Sequence, residues 1–477
     1  MRFRNTAILA VLVALLGAYL YLVERPAYQR EQEKRTLLSF DPDEAVKIAL
    51  ETSGEKIEIE KREGKWVITA PRELPADQTA VQNLLRATAE AELKREVAEN
   101  PKDWAPFGLD EPVARVQVEL EGGRALPSLA VGKATPIGFN AYARRDDEAQ
   151  VLLTTGAFRS GVQKKLDDLR DRKILDFEED DVSEIALRPR EGAAVRIHRD
   201  AAGWKIVEPI EAKADAARVR SLLGSLRTMR VRRFVEGDEG GDAAARGLEP
   251  PRLRVELSLE GGESRVLEVG GATPEASERQ IYVRVPDRDA VYTVGSHVWT
   301  SLSKNANDLR DKTVLAVDRK AVSRLAVERK DGEDFVLERQ GDEWHVADAG
   351  AAATRKTVAQ RLVDDVLELH GTSVATDTGD FESFGLDEPS IRITLSSEEG
   401  ELGQILLAAR GEDHYAAARG AELVFEIPDY VFRRFDKRRS DLLEEPEPTA
   451  SPEATASPEP HAKATASPPA RSSARDA

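Results

Sequence analysis

An uncharged apolar segment, residues 6–23, opens the hydrophobic pattern of the chain. As a helix that rises about 1.5 Å per residue, this segment would be roughly 27 Å long, close to the thickness of a bilayer core. Arg2 and Arg4 precede it, and basic flanks of this kind stay in the cytoplasm. The pattern predicts a cytoplasmic N-terminus over residues 1–5, a membrane-spanning helix over 6–23, and the bulk of the chain on the periplasmic side of the inner membrane. A cleaved signal peptide is the alternative, but no small-residue cleavage site precedes Glu24.

A long repeat period dominates the pattern beyond residue 40. Alternating apolar positions through residues 45–50 and 116–120 predict strands, since side chains alternate between the two faces of a strand. The apolar residues of 81–85 follow the i, i+3, i+4 spacing of one buried helix face, and those of 219–223 repeat it one period later. A polar residue precedes each of the three helices that this spacing predicts, and the expected N-caps are Asp77, Asp215 and Thr354.

Four short motifs recur with the same period. They are a hairpin tryptophan, a Gly-Leu-Asp-Glu-Pro-like turn, a Val-Gly-x-Ala-Thr-Pro turn found in the first two units, and a closing Asp-Leu-Arg-Asp segment. In the second motif, glycine supplies a free backbone, leucine anchors the turn, and proline starts the next strand at a sheet edge. The closing segment is interpreted as a helix end whose charges pair and cap, with a docking surface as the alternative. The marker residues are Trp66, Gly108, Asp168 and Arg170, then Trp204, Gly247, Asp308 and Arg310, then Trp344, Gly385, Asp436 and Arg438.

These observations predict an α+β protein made of three tandem repeats of about 140 residues. Each repeat is expected to hold a mostly antiparallel sheet and two helices, after the single N-terminal transmembrane helix. The third repeat lacks about 12 residues of its strand-turn region. The predicted boundaries are a juxtamembrane stalk over 24–39, repeats over 40–177, 178–317 and 318–443, and a disordered Pro/Ala/Ser-rich tail over 444–477.

Composition narrows the function classes. A net charge of −18 argues against binding to nucleic acid, which needs a cationic surface. Without cysteine, the chain has no disulfide, thiolate metal site or cysteine nucleophile. None of the six histidines recurs across the repeats or pairs with another at helical metal-ligand spacing. The sequence therefore predicts no catalytic residues, no metal site and no cofactor.

One basic cluster, residues 227–233, contains four arginines and is followed by the acidic stretch 236–242. The corresponding positions of the other two repeats are far less basic. Local ion pairing between the cluster and that stretch is the favoured interpretation, with a basic binding surface as the alternative.

Taken together, the Gly-Leu-Asp-x-Pro turn, the hairpin tryptophan, the closing Leu-Arg-Asp segment and the N-terminal apolar helix resemble the bacterial domain-of-unknown-function family 4340. The resemblance extends over about residues 40–443. Genes of that family often lie beside components of ABC transporters similar to those of gliding motility. The resemblance thus implies an envelope accessory protein and supplies no catalytic residues.

We therefore expect a non-enzymatic, membrane-anchored periplasmic accessory of an ABC-type transport or gliding-motility-like complex. Its partners would be the inner membrane, through residues 6–23, and transporter subunits or other envelope proteins. A structural scaffold or spacer that binds cell-wall polymer is the alternative, and a hydrolase acting on envelope material is a third, weaker hypothesis.

Overall fold

The computed structural model describes residues 36–444, except residues 53, 147, 238–240, 275–278, 289 and 351. The predicted anchor over 6–23, residues 24–35 of the predicted stalk and residues 445–477 of the predicted tail lie outside the described residues. Within the described part, no helix combines the length and apolar character needed to cross a bilayer.

The described chain is α+β and holds three antiparallel sheets. It divides into two compact bodies: the first ends at Arg310 and contains the first and second sheets, and the second begins at Asp311 and contains the third. The strands of the first sheet are β1 (Ala45–Thr52), β2 (Glu55–Arg62), β3 (Lys65–Ala70), β4 (Leu74–Pro75), β5 (Arg95–Ala98), β6 (Ala114–Leu120), β7 (Arg124–Ala125), β8 (Leu129–Ala134), β9 (Asn140–Arg145) and β10 (Val151–Thr155).

The second and third sheets are built from the remaining strands. Those of the second are β11 (Val182–Pro189), β12 (Val195–Asp200), β13 (Gly203–Glu208), β14 (Ala212–Lys213), β15 (Arg233–Val235), β16 (Leu253–Leu259), β17 (Ser264–Ala272), β18 (Gln280–Val285) and β19 (Ala290–Gly295). Those of the third are β20 (Arg324–Arg329), β21 (Phe335–Gln340), β22 (Glu343–Val346), β23 (Ser373–Thr376), β24 (Ile391–Ser396), β25 (Glu401–Arg410), β26 (Asp413–Ala418) and β27 (Val424–Ile427).

The three sheets share one strand order, except that the described part of the third has no equivalent of the short edge strands β4 and β14, and β7 of the first pairs with β6 beside the main order. The first runs β4-β3-β2-β1-β6-β8-β9-β10-β5, the second β14-β13-β12-β11-β16-β17-β18-β19-β15, and the third β22-β21-β20-β24-β25-β26-β27-β23. In each sheet two meanders meet where the first strand pairs with the strand that follows the Gly-Leu turn. Because that strand lies inside the sheet, the expectation that the turn's proline starts an edge strand is wrong.

One long helix lies on each sheet with a short helix beside it. The long helices are α1 (Gln78–Ala89), α4 (Ala216–Thr228) and α7 (Lys356–Leu367), and the short ones are α2 (Gly156–Val162), α5 (His297–Leu302) and α8 (Asp429–Phe435); single turns form α3 (Leu166–Leu169) and α6 (Ala306–Leu309). The predicted helix face is buried: Val81, Leu84 and Leu85 are at most 1% exposed. Burying a large aliphatic side chain of this kind stabilises the fold by about 1.5–3 kcal/mol.

The N-cap predictions are confirmed for the first two long helices. Asp77 Oδ1 accepts from Ala80 N at 2.9 Å, and Asp215 Oδ1 accepts from Ala217 N at 2.9 Å. The prediction for Thr354 is wrong by one residue, since Arg355 is the N-cap of α7. Thr354 Oγ1 instead accepts from Val346 N at 2.9 Å, which ties strand β22 to the start of the helix.

The Gly-Leu turn and the Val-Gly turn form a single contact. Leu109, 2% exposed, packs with Ala130 on the sheet face opposite the helix, because Leu129 and Val131 on either side of Ala130 point into the helix-side core. A Cβ on Gly132 would overlap the Phe107 carbonyl oxygen and lie 2.9 Å from that of Gly108. The two motifs recur together because the backbone of one lies directly on the backbone of the other.

The cores of the first two sheets include residues that precede the repeats predicted for them. Leu37 and Leu38, assigned to the stalk, are buried in the first core, and Ile174 and Leu175, assigned to the first repeat, are buried in the second. The reason is a bridge from the preceding segment to the end of each long helix. The bridged pairs are Thr36 with Glu92, Lys173 with Arg230, and Thr313 with His370.

The closing motif of the third sheet is also displaced from its predicted position. Asp168 and Asp308 accept from the backbone N–H three residues earlier, and in the third sheet it is Asp441 that does so, from Arg438 N at 2.8 Å. Asp436 and Arg438 therefore do not hold the register of the other two pairs. The interval from Asp308 to Asp441 is seven positions shorter than the interval from Asp168 to Asp308, so the closing turn of the third sheet comes seven residues early.

Gly132→Ala should destabilise the protein, because its Cβ would push the 107–108 backbone off the sheet. We expect a loss of about 1–3 kcal/mol in the free energy of unfolding, measured by chemical denaturation of the full chain. Gly224→Ala is the matched control: only Glu179 Oε1 lies near its Cβ, at 3.8 Å, in the middle of α4. That control should gain about 0.5–1 kcal/mol, and equal effects of the two substitutions would contradict the contact.

Candidate binding groove

The tryptophan markers are structural. Trp66 and Trp344 are buried, and Trp204 packs against the second core. Each lies opposite a basic residue on the neighbouring strand, and the Lys61 Nζ and Arg199 guanidinium lie 5.9 and 5.5 Å from the ring centroids of Trp66 and Trp204. The tryptophans therefore pack within hairpins of their sheets.

The closing motif joins the first and second sheets. Leu169 O accepts from Asp77 N at 2.8 Å, and soon after Arg170 the chain already packs on the second sheet. The Arg170 guanidinium lies 3.6 Å from the ring centroid of Phe234, and its Nη1 is 3.3 Å from Glu236 Oε1. Glu236 also pairs with Arg72. These contacts make Arg170 the link between the two sheets of the first body.

Beside this joint, Lys173 donates to Asp176 and lowers the pKa of that carboxyl below its ordinary value. The ionised aspartate therefore holds the start of the second unit next to the lysine at neutral pH.

The space between the long and the short helix differs from sheet to sheet, and one pair of equivalent residues lies there. On the first sheet a Cβ on Gly161 would lie 2.9 Å from the Ala87 Cβ, so α1 and α2 are in close contact. On the second sheet the two positions are Ser225 and Ser301, and both line a groove between α4 and α5.

On the third sheet the corresponding residues are Asp365 and Arg434. Their side chains pair across the gap, with 3.0 Å between Arg434 Nη1 and Asp365 Oδ1. They line a cavity of about 640 Å³ between α7 and α8. Where the two positions hold larger side chains, a cavity lies between the helices. Where they hold Ala87 and Gly161, the helices are in contact.

We call the gap of the second sheet the α4–α5 groove. It consists of a cavity of about 420 Å³ and an adjoining one of about 250 Å³, which share Ser225 and Ser301. The larger cavity is lined by basic and hydroxyl side chains over a floor that includes Met229, Val231 and Val298, and no aspartate or glutamate of the described chain lines it. Its polar lining residues are Arg172, Ser225, Thr228, Arg230, Arg232, His297 and Ser301.

Two arginines of the groove, Arg230 and Arg232, are not neutralised as the sequence analysis expected. Arg230 donates to the carbonyl oxygens of Arg227 and Met229, both at 3.0 Å. Arg232 makes no side-chain hydrogen bond or ion pair with the part of the chain that the structure describes. Arg172 Nη2 lies 3.8 Å from Asp168 Oδ1, outside the groove.

Ion pairing does account for Arg227, which pairs among the described residues with Glu179 and not with a residue of the described part of the acidic stretch. The interpretation of the whole cluster as locally paired is therefore wrong for Arg230 and Arg232. One signal in the sequence could have revealed the groove: the positions equivalent to Ala87 and Gly161 are serines, Ser225 and Ser301, on the second sheet. That difference indicates a groove only once the two helices are known to be neighbours.

The basic lining of the space between the helices is found on the second sheet, and the charge of equivalent residues differs on the other two. The bridge partner equivalent to Arg230 is Glu92 on the first sheet and His370 on the third. Glu368, equivalent to Thr228, pairs with Arg319 on the third sheet at 2.9 Å. One framework thus carries three differently charged versions of the same gap.

The histidines do not form a metal centre with other side chains in the described ranges, where no group of three potential ligands converges. His198, His297 and His370 are exposed, and His345 and His414 are half-buried. His461 lies outside the described residues. What the groove can offer chemically is cationic and hydroxyl groups, which suit binding of an anion.

The architecture and the groove describe an α+β protein of antiparallel sheets with a surface suited to binding. The chain matches the model of the family described as Domain of unknown function (DUF4340) over residues 66–205 and 204–378, more than half of its 477 residues. The chain belongs to that family, which confirms the resemblance. The match falls in two adjacent segments and does not establish how many repeats the chain contains. No curated protein and no solved structure matches the chain.

Arg170→Ala should loosen the joint between the first and second sheets, because it removes the stacking on Phe234 and the pair with Glu236. Contacts of this kind are worth about 0.5–2 kcal/mol. Hydrogen–deuterium exchange should rise in residues 72–76 and 230–236 and stay unchanged in the third sheet.

Arg95→Ala is the control, since Arg95 donates only to its neighbour's carbonyl, Glu96 O, at 3.5 Å. Unchanged exchange at the joint in the Arg170 variant would show that backbone pairing alone holds the two sheets.

Proposed function

We propose that the chain is a non-enzymatic, membrane-anchored extracytoplasmic accessory of an ABC-type transport or gliding-motility-like complex, and that it acts through protein–protein contacts. Membership of the family and the apolar segment 6–23 support the role and the anchor. The bulk of the chain would lie on the periplasmic side of the inner membrane.

One observation carries the proposal: three sheets keep a single strand order while the side chains in one surface gap change from sheet to sheet. We infer that the chain consists of three tandem copies of one unit, the third shortened. Arrays of this kind present extended surfaces, and each copy can contact a different partner or a different part of one partner.

The four recurrent motifs support a binding role over an enzymatic one. Gly108 and Gly132 pack backbone on backbone, Trp66 fixes a hairpin, and Asp168 caps a helical turn. Because the recurrent residues have structural roles, we assign partner recognition to the parts of the surface that vary between copies.

The orientation in the membrane is testable because the natural chain has no cysteine. Lys102→Cys, at an exposed position of the loop between β5 and β6, should react with a membrane-impermeant maleimide in intact spheroplasts. Asn5→Cys, in the predicted cytoplasmic end, should react only after the membrane is permeabilised. The reverse pattern would place the three sheets in the cytoplasm and end the proposal.

Partner contact is tested by purifying the tagged full-length chain from gently solubilised membranes and identifying the proteins that remain bound. We expect ABC transporter subunits in amounts comparable with the tagged chain. Co-sedimentation with purified cell wall, without transporter subunits in any detergent, would favour the scaffold function instead.

A further inference from the structure

We propose that the α4–α5 groove of the second sheet binds an acidic peptide segment of a partner protein. The inference deepens the proposed function and rests on it, because it names the chemistry by which one of the three copies would recognise its partner.

The sign of the charge is the first argument. The chain as a whole carries a net charge of −18, yet Arg172, Arg230, Arg232 and His297 line a cavity that no acidic side chain of the described chain lines. Neither Arg230 nor Arg232 forms an ion pair with an acidic residue of the described chain. Guanidinium groups bind carboxylates in a two-pronged geometry, so a cluster of them in a concave surface favours a ligand with several carboxylates.

The length of the groove is the second argument. Its lining residues on α4 run from Arg218, in the smaller cavity, to Thr228, in the larger one. At about 1.5 Å per residue this stretch of helix is roughly 15 Å long, which matches four to five residues of extended peptide at about 3.3 Å each. A single phosphate or lipid headgroup would fill only one end.

The two ends of the groove differ in charge. Asp308 lines the smaller cavity beside Arg218 and Lys304, and its Oδ2 accepts from Asn305 N at 2.9 Å. The acidic residues of the peptide should therefore lie at the Arg230 end. Between the ends, the Ser225, Thr228 and Ser301 hydroxyls donate to backbone carbonyls of their own helices and leave oxygen lone pairs facing the groove as acceptors for the peptide's N–H groups.

The framework supplies its own comparison. On the first sheet Ala87 and Gly161 bring the helices together, and on the third Arg434 pairs with Asp365 inside the gap. The second sheet has both an open gap and unneutralised arginines, and so it is the copy that we expect to bind the peptide.

The experiment measures binding of a fluorescein-labelled octapeptide of alternating glutamate and serine to the full-length chain in non-ionic detergent, by fluorescence anisotropy. The octapeptide with glutamine in place of glutamate is the ligand control. The double variant Arg230→Glu, Arg232→Glu should bind the acidic peptide at least about tenfold more weakly. Both side chains are exposed, so the variant should keep the exchange protection of the second sheet.

Arg220→Glu is the matched protein control, because Arg220 is exposed on α4 and does not line the groove. It makes the same change of charge on the same helix and should leave the affinity within about twofold. Higher salt should weaken binding to the natural chain, since the attraction is between exposed charges.

Three results would overturn the inference: no preference of the natural chain for the acidic peptide, equal binding by the double variant, or equal weakening by Arg220→Glu. Binding of inorganic phosphate or of phosphatidylglycerol vesicles that the double variant loses, without peptide binding, would also overturn it in favour of a simple anion or lipid site.

The purification from membranes separates this inference from the proposed function. Recovery of transporter subunits by both the natural chain and the double variant would leave the function standing and remove the groove from it. If neither chain recovers transporter subunits but the purified natural chain still binds the peptide, the groove would stand as a peptide site and the proposed function would fail.

Discussion

The distance between two helices is the constraint from which the proposed binding surface of this protein follows. Every sheet carries a long helix and a short helix, and one pair of residues lies between them: Ala87 with Gly161, Ser225 with Ser301, or Asp365 with Arg434. Small residues let the helices touch, and larger polar ones hold a gap open. Because this pair can change without disturbing the sheet or the helix stripe beneath it, the same fold gives a closed, a basic or an ion-paired surface.

The rest of the framework resists change for reasons of packing. The Gly-Leu turn lies against Gly132 so closely that a methyl group does not fit. On the third sheet Ala408 takes the place of that glycine, and the turn lies farther away: a Cβ on Gly385 would be 3.8 Å from the Ala408 Cβ. The closing segment bonds back to the start of its own long helix and then passes to the next core. Recurrent residues therefore build the sheets and connect them, and the residues between the helices vary without disturbing that framework.

The sequence predicted the parts of the fold that depend on local periodicity. Strand alternation, the apolar stripe of the long helices and the N-caps Asp77 and Asp215 are all set within a few residues. Asp436 was misplaced because spacing cannot locate a seven-residue shortening. Thr354 was misplaced because the N-cap, Arg355, makes no side-chain capping bond and is not a residue type that marks a helix start. Leu37 was assigned to a stalk because its partner, Ala91, lies at a distant helix end. The groove could not be predicted, since the strands β15 to β19 separate Ser225 from Ser301 along the chain and the two become neighbours only through the sheet topology.

Under the proposed function, the chain varies its contacts by changing few side chains on one framework, and the second sheet carries the gap that we propose to bind anions. The most direct test is a crystal structure of the chain with the glutamate-serine octapeptide. We predict carboxylates within hydrogen-bonding distance of the Arg230 and Arg232 guanidinium groups, with the peptide backbone continuing along α4 past Ser225. A peptide bound on another sheet, or an α4–α5 groove that stays empty at saturating peptide, would contradict the account.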